Sequence, residues 1–388
     1  MRNRKRKLTI AINSNIKLGG GGERTLVNYL CSLDKKYYEN YEIEVIHTGY
    51  YDRERMEPDI IKTIPKGVKF IEIKNYESRI KSIKSGGHNI LIFLYRLLFQ
   101  RILERKDIKL LTKELSSSEI VYLFHNVFSR YVRSPQTVVV GSFHDWQPNT
   151  TTFFGRISVY LVKSGLMLRR IDLYHATTQV ALNYLPSVKR EKSFVVRSGI
   201  DSETFHITFE NKMSNKLIVL FVARLLPCKG LELAAESVKK FNESGGDAEF
   251  HVVGTGELEY LFLNENYRWI KYHGNVTTKE LVELYNSSDV FIYPSRCDNF
   301  ALVIIEALAC GAYAIVDNFF KGYFPDLERQ NYVGFCDHDA VSFSNALKDV
   351  ASRIEEIRAK RMEVSLYVRS HYDWKSVTKE LFDKINDQ

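Results

Sequence analysis

VFIYPSRCDNFALVIIEALACG, running from Val290 to Gly311, is the stretch whose reading decides the fold. VFIYPS is a β-branched and aromatic run that Pro294 and Ser295 stop, the pattern of a short buried strand. A polar loop, RCDN, follows, and then an apolar segment that ends at Gly311, where a helix C-terminus is expected. Strand, loop and helix in that order place the helix start above the carboxyl edge of a parallel sheet, where open α/β sheets bind ligands. The unpaired N–H groups of Phe300, Ala301 and Leu302 at that helix start form a candidate anion site.

Two carboxylates bracket this feature, Asp298 in the loop and Glu306 in the helix, with seven residues between them. Leu302 and Glu306 are four apart and share a helix face, so Glu306 can look toward the loop. One reading is structural, with Asp298 capping the helix and Glu306 pairing with a basic neighbour. The other is functional. Val303, Ile304, Ile305, Ala307 and Leu308 surround Glu306, and a carboxylate in such company needs a partner or a ligand.

The stretch resembles the acidic-x7-acidic signature of retaining glycosyltransferases of the GT-B architecture, most closely family 4. The family usually has Glu first, followed by Gly-Phe-Gly; this chain has Asp298 and then Asn299-Phe300-Ala301. Upstream, the glycine loop KLGGGGERTLVNYL resembles the family's N-terminal Gly-Gly-x-Glu-Arg loop through Gly20, Gly21, Glu23 and Arg24. That resemblance implies that Gly20, Gly21 and Gly22 lie near the donor diphosphate and the acceptor. Neither the dinucleotide pattern nor Walker A is met there, and by itself the loop reads equally as a flexible turn.

Elsewhere the resemblance selects individual residues. Arg224 and Lys229 surround a Pro-containing turn after the strand LIVLFV and resemble the family's Arg…Lys-Gly, basic groups suited to a diphosphate leaving group. The end of the short strand at Gly274-Asn275-Val276 resembles the family's base-side contact. His144 ends the β-rich run TVVVGSFHDWQ and resembles the family's histidine beside the reacting carbon. Glu306 is then implied to hold ribose hydroxyls and Asp298 sugar hydroxyls. His125, at the end of EIVYLFHN, reads as a surface residue as readily as a functional one. Asp337-His338-Asp339 matches a DxD metal motif but stands directly before a helix, where Asp339 makes an N-cap. No metal site and no cofactor are expected.

The remaining bulk properties bound the answer. The 388 residues, 45% hydrophobic and 13% aromatic, suit two globular domains. Five cysteines, an odd number without a CxxC pair, argue against a disulfide framework or structural zinc, and suit a reducing cytoplasm. No apolar run approaches the length that spans a bilayer. The basic start RNRKRK precedes LTIAINSNI, where Asn13 and Asn15 interrupt the apolar run, so a first strand is read in place of a signal peptide.

Residues 1–190 hold 32 Lys+Arg against 17 Asp+Glu, while residues 191–388 hold 23 against 30. A split of this size suggests an acidic partner for the first half, with nucleic acid and an anionic membrane surface the candidates by charge; a solvated basic surface explains it too. No aromatic–basic stacking motif supports nucleic acid. The stretch GGHNILIFLYRLLFQRILERKDIKLL, residues 86–111, reads either as a packed core helix or as a basic amphipathic helix in the membrane interface.

Together these readings imply an α/β chain of GT-B type, two Rossmann-like domains facing across a cleft with a C-terminal helix crossing back to the first. The expected boundaries are 1–205, 206–372 and 373–388, with 202–216 as linker and one long helix over 340–363. The implied activity is transfer of a sugar, with retention, from a nucleotide-diphosphate sugar to a saccharide or lipid-linked acceptor in surface polysaccharide assembly. The expected setting is the cytoplasm or the inner membrane face. A sugar-nucleotide epimerase, a phosphorylase or a non-catalytic sugar-nucleotide binder remain alternatives.

Overall fold

The computed structural model describes residues 5–14, 21–48, 58–73, 105–124, 126–143, 170–183, 185, 187–208, 216–298 and 300–387. It divides into two compact units, Met1–Val196 with Thr378–Gln388, and Arg197–Val377.

The first unit is built on a seven-stranded sheet. In chain order its strands are β1 (Arg6–Ile12), β2 (Tyr41–Thr48), β3 (Lys69–Ile73), β4 (Ile120–Leu123), β5 (Val138–Phe143), β6 (Leu173–Ala176) and β7 (Ser193–Val195). Their spatial order is β3-β2-β1-β4-β5-β6-β7, and each pairing is parallel. All-parallel strands are covered on both faces, and IVYL of β4 is accordingly buried at every position. Three helices of this unit are α1 (Gly21–Ser32), α2 (Lys35–Asn40) and α3 (Arg105–Ser116). α1 buries Leu26, Val27 and Leu30, the apolar face its spacing predicts.

The second unit repeats the plan with six strands: β8 (Leu217–Val222), β9 (Ala248–Val253), β10 (Lys271–Gly274), β11 (Val290–Tyr293), β12 (Tyr313–Asp317) and β13 (Val333–Cys336). The order β10-β9-β8-β11-β12-β13 is again fully parallel. In both sheets the first and fourth strands are neighbours and the chain winds outward from them in opposite directions. This is the doubly wound arrangement whose switch point opens a crevice at the carboxyl edge. The helices of eight residues or more are α4 (Leu231–Glu243), α5 (Thr278–Ser287), α6 (Leu302–Ala309), α7 (Ala340–Ser352), α8 (Ile354–Tyr372) and α9 (Trp374–Asn386).

Several local signals are realised. Thr277 caps α5 in a capping box with Glu280. Asp339 caps α7, accepting from the N–H groups of Val341 and Ser342 at 2.9 and 2.8 Å. Gly311 follows α6 with φ +84°, as a left-handed C-terminal residue does. Val377, Leu381 and Ile385, the apolar stripe of α9, are buried.

Other expectations need correction. The helix over 340–363 is two helices, because the backbone leaves the helical region at Arg353, φ −124° and ψ 30°. Residues 202–208 are not a free linker. Asp201 bonds to the backbone of Glu203 and Thr204, and Asn286 holds Thr208 N–H at 2.8 Å and the His206 carbonyl at 2.9 Å. The division at Val196/Arg197 falls ahead of the expected boundary at 205. Here Ile200 exchanges backbone bonds with Tyr372 and Trp374 at 2.7 and 3.1 Å, and the Cβ-free face of Gly199 lies against the Trp374 ring.

The last part of α9 returns the chain to the first unit. There Tyr37 donates to Asp383 and packs its ring against Phe382, 5.4 Å between centroids and tilted by 56°, and Tyr41 donates to Asn386. No helix among the described residues is long and apolar enough to cross a membrane. Residues 86–104 lie outside the described residues, and 105–111 open α3.

Candidate active site at the switch point

In the second unit the sequence-predicted residues gather at the carboxyl ends of neighbouring strands. β8 leads into the turn that carries Arg224 and Lys229, and β11 leads into the loop that carries Asp298. β8 and β11 are adjacent, so residues far apart in sequence meet.

They meet as an ion pair. Lys229 is 7% exposed and its ammonium donates to Oδ1 of Asp298. Oδ2 of Asp298 accepts from the Tyr293 hydroxyl and the Ser295 hydroxyl, both at 2.7 Å. Burial, with the Asp298 carboxylate next in order, pushes the Tyr293 phenol well above its ordinary value, so it stays a donor. Asp298 therefore does not cap α6. Its oxygens are engaged by a buried cation and two hydroxyls, which is what a buried carboxylate requires.

Two glycines let the turns come this close. Gly230 takes φ +80° and its missing Cβ leaves room for the Pro294 carbonyl oxygen, 2.8 Å from where that atom would stand. Gly254, at φ +123°, turns its open face onto the carbonyl oxygen of Ala223. The Gly254-Thr255-Gly256 turn then clasps the Arg224 segment, with Leu225 N–H bonding Thr255 O at 2.9 Å and Leu258 N–H bonding Leu225 O at 3.0 Å. Arg224 itself is exposed and lowers the Tyr293 phenol's upward shift through its charge.

Phe300, Ala301 and Leu302 form the start of α6 as expected, with Ala301 at the N-cap. Alanine offers no capping oxygen, and the first bond of the turn runs from Ile304 N–H to Ala301 O at 3.0 Å. The preceding amides point along the helix axis toward the loop, with the positive end of the dipole behind them. Glu306 is half-buried, one turn in, and accepts from the Tyr285 hydroxyl at 3.2 Å. Val276 is half-buried between β10 and α5, beyond the bond from Gly254 N–H to Gly274 O at 2.8 Å.

In the first unit Gly21 opens α1 and Gly22 follows it. Gly20, His125, His144 and Asn299 lie outside the described residues.

Sequence reasoning missed several groups. Tyr293 and Ser295 stand inside the quoted stretch, and a phenol and a hydroxyl just before an acidic loop residue were the available signal. Asp317 is fully buried at the end of β12 and gathers the RCDN loop: it accepts from Arg296 at 3.3 Å, His338 at 2.6 Å and Phe319 N–H at 2.7 Å. His338 is thus a partner of Asp317. Most unexpected, Cys228 and Cys297 are joined as a disulfide, their Cα atoms 5.9 Å apart. The cysteine count argues against a disulfide framework, yet this one pair forms; residue counting cannot see a pairing that the sheet topology makes.

Residues 202–366 match the family described as Glycosyl transferases group 1. The match covers 165 of the 388 residues, all of them in the second unit. The phosphatidylinositol N-acetylglucosaminyltransferase GPI3 subunit of Saccharomyces cerevisiae (strain YJM789) is 22% identical over 216 residues, 53% of this chain and 46% of that protein. The amylovoran biosynthesis glycosyltransferase AmsK of Erwinia amylovora is 26% identical over 191 residues, 46% of each. The matches thus span about half the length of these curated relatives. Among solved structures, Anabaena Alr3699/HepE in complex with UDP superposes with a TM-score of 0.69 at 15% identity, covering 99% of this chain and 100% of that one. The chain therefore has the GT-B fold, and Arg224, Lys229, Asp298 and Glu306 lie within the residues that the family model matches.

Proposed function

We propose that this protein is a retaining glycosyltransferase that takes a sugar from a nucleotide-diphosphate sugar. The observation that carries the reading is the convergence, at one switch point, of Lys229, Arg224 and the uncapped start of α6. Cleaving the donor leaves negative charge on a diphosphate, and preorganised cations and amides aimed at that charge stabilise the transition state. Lys229 has three donor hydrogens and spends one on Asp298, so it can serve a phosphate without losing its partner.

The other roles follow from position. Glu306, oriented by Tyr285, holds ribose hydroxyls, and Val276 lies against the base. Asp298 fixes Lys229, and a sugar hydroxyl reaching this carboxylate shares oxygens already bonded to Tyr293 and Ser295. Gly20, Gly21, Gly22 and His144 enter through the family resemblance, His144 beside the reacting carbon. The residues supply the leaving-group stabilisation that a metal supplies elsewhere, so metal independence is part of the proposal. With no enzymic nucleophile identified among the described residues, front-side displacement assisted by the leaving phosphate suits retention.

HepE is solved with UDP and with UDP-glucose, which supports a nucleotide sugar as donor. AmsK acts in amylovoran biosynthesis by its name, which supports a saccharide or lipid-linked acceptor and surface polysaccharide assembly. The basic first half of the chain suits peripheral contact with an anionic inner membrane face. A thermal-shift panel of UDP-, GDP-, ADP-, CMP- and dTDP-sugars tests the donor site, since a bound ligand raises the melting temperature by mass action. A selective rise that Glu306→Ala abolishes is the expected result. No rise with any sugar nucleotide, at concentrations that saturate family enzymes, defeats the proposal.

A further inference from the structure

The disulfide stands where the proposed donor chemistry is concentrated. Cys228 immediately precedes Lys229, and Cys297 immediately precedes Asp298, so the covalent bond and the ion pair join the same two turns side by side. Apart from these, the turns are tied by Arg296 N–H to Cys228 O at 3.2 Å and by the seat of Gly230 against Pro294. Cys228 is exposed and Cys297 half-buried, so small thiols can reach the pair. Lys229 and Arg296 adjoin the two cysteines in sequence, each holding its charge against a carboxylate, Asp298 and Asp317 respectively.

The other cysteines of this unit offer no such site. Cys310 and Cys336 are buried, and burial holds their thiols protonated. Cys31, exposed, belongs to the first unit.

We propose that Cys228 and Cys297 form a reversible thiol–disulfide exchange site, with a low-molecular-weight disulfide of the glutathione class as oxidant, and that the cross-link tightens binding of the donor diphosphate. This rests on the donor-site reading above. In the forward direction the Cys228 thiolate attacks one sulfur of the small disulfide and expels a thiolate, giving a mixed disulfide. The Cys297 thiolate then attacks Sγ of Cys228 and expels the second small thiol. The cysteines lose two protons and two electrons in all, and the oxidant leaves as two thiols; excess thiol reverses both steps. The cross-linked turns hold Lys229 at its station before ligand arrives, whereas in the dithiol form binding must order them, which weakens it.

The test uses the full chain, equilibrated with oxidised or with reduced glutathione, alkylated, and weighed intact and as peptides. The expected result is a 228–297 cross-linked peptide after oxidised glutathione that disappears in excess reduced glutathione. Cysteines that remain alkylatable throughout overturn the exchange site. Inorganic pyrophosphate, the portion common to every candidate donor, is then titrated calorimetrically into both forms. About tenfold tighter binding to the cross-linked form is expected, with Cys228→Ser/Cys297→Ser showing the weaker value under both conditions. Equal affinity of the two forms overturns the coupling. Pyrophosphate binding to neither form defeats the donor-site reading and the coupling together, while the mass measurement still decides the exchange site.

Discussion

Removing the carboxylate of Asp298 tests the heart of the second unit. In Asp298→Ala the Lys229 ammonium, whose side chain is 9% exposed, loses its counter-charge, and the hydroxyls of Tyr293 and Ser295 lose their acceptor. Breaking a buried ion pair from one side costs about 3–5 kcal/mol, because the surviving charge is left uncompensated. That is a large share of a typical domain stability of about 5–15 kcal/mol. For a unit the size of Arg197–Val377 each kcal/mol moves the midpoint by about 2–4 °C, so a fall of about 10 °C is expected. Differential scanning calorimetry reads it, with the transition of the second unit followed separately because two units need not melt as one.

The control is Lys229→Met/Asp298→Ala. If the cost comes from an orphaned charge, deleting the charge as well recovers most of it, and the double variant melts above Asp298→Ala. Asp298→Asn keeps the shape and part of the hydrogen bonding and should fall between wild type and alanine. A loss of less than about 1 kcal/mol in Asp298→Ala, the range of exposed pairs, refutes the argument. So does simple additivity of the two single losses in the double variant.

Three other outcomes follow from the same structure. Gly254→Ala places a Cβ on the Ala223 carbonyl at φ +123° and should cost about 3 kcal/mol, whereas Gly245→Ala, at φ +94° with nothing near, should cost about 1 kcal/mol, both read by urea unfolding. Burial lowers the imidazole of His175 to about 4, so the unfolded chain protonates first as pH falls. His175 thus contributes fully above about pH 6.5 and progressively less toward pH 4, up to about 3 kcal/mol, and urea midpoints of wild type should fall across that window while those of His175→Gln fall less. The Cys228–Cys297 bond closes a separation of 69 residues, for which the chain-entropy model gives about 4 kcal/mol. Reduction should therefore lower the melting point of wild type and leave Cys228→Ser/Cys297→Ser unmoved.

The parts of this structure that were legible in the sequence are those fixed within a few residues. LIVLFV and VFIY read as strands because buried parallel strands are continuous apolar runs. Asp339 reads as a cap because capping involves only the next helical turn. The break at Arg353 was not legible, since neither Pro nor Gly marks it, and Ala351, Arg353, Glu355 and Glu356 are good helix formers. The bonds of Asp298 to Tyr293 and Ser295 are local but were read as capping or sugar contact, because nothing in the spacing says that Lys229 will also arrive. The pairing of Cys228 with Cys297 was hidden for the same reason: it depends on which strands become neighbours.

That dependence has a definite form. In a doubly wound sheet the chain moves outward from the first strand through the second and third, then returns to lay the fourth against the first. Here β9 and β10 take the left side, so residues after β8 wait, across the whole excursion, for residues after β11. Lys229 meets Asp298 and Cys228 meets Cys297 because each pair sits at the same height past those two adjacent strands. The glycines then become intelligible. Turns brought together so late must fit closely without side-chain bulk, and Gly230 against Pro294 is a contact where a Cβ would intrude. An acidic residue in the RCDN loop is therefore informative only jointly with the basic turn after β8. Either alone reads as an ordinary surface charge, and the parallel topology makes them one site.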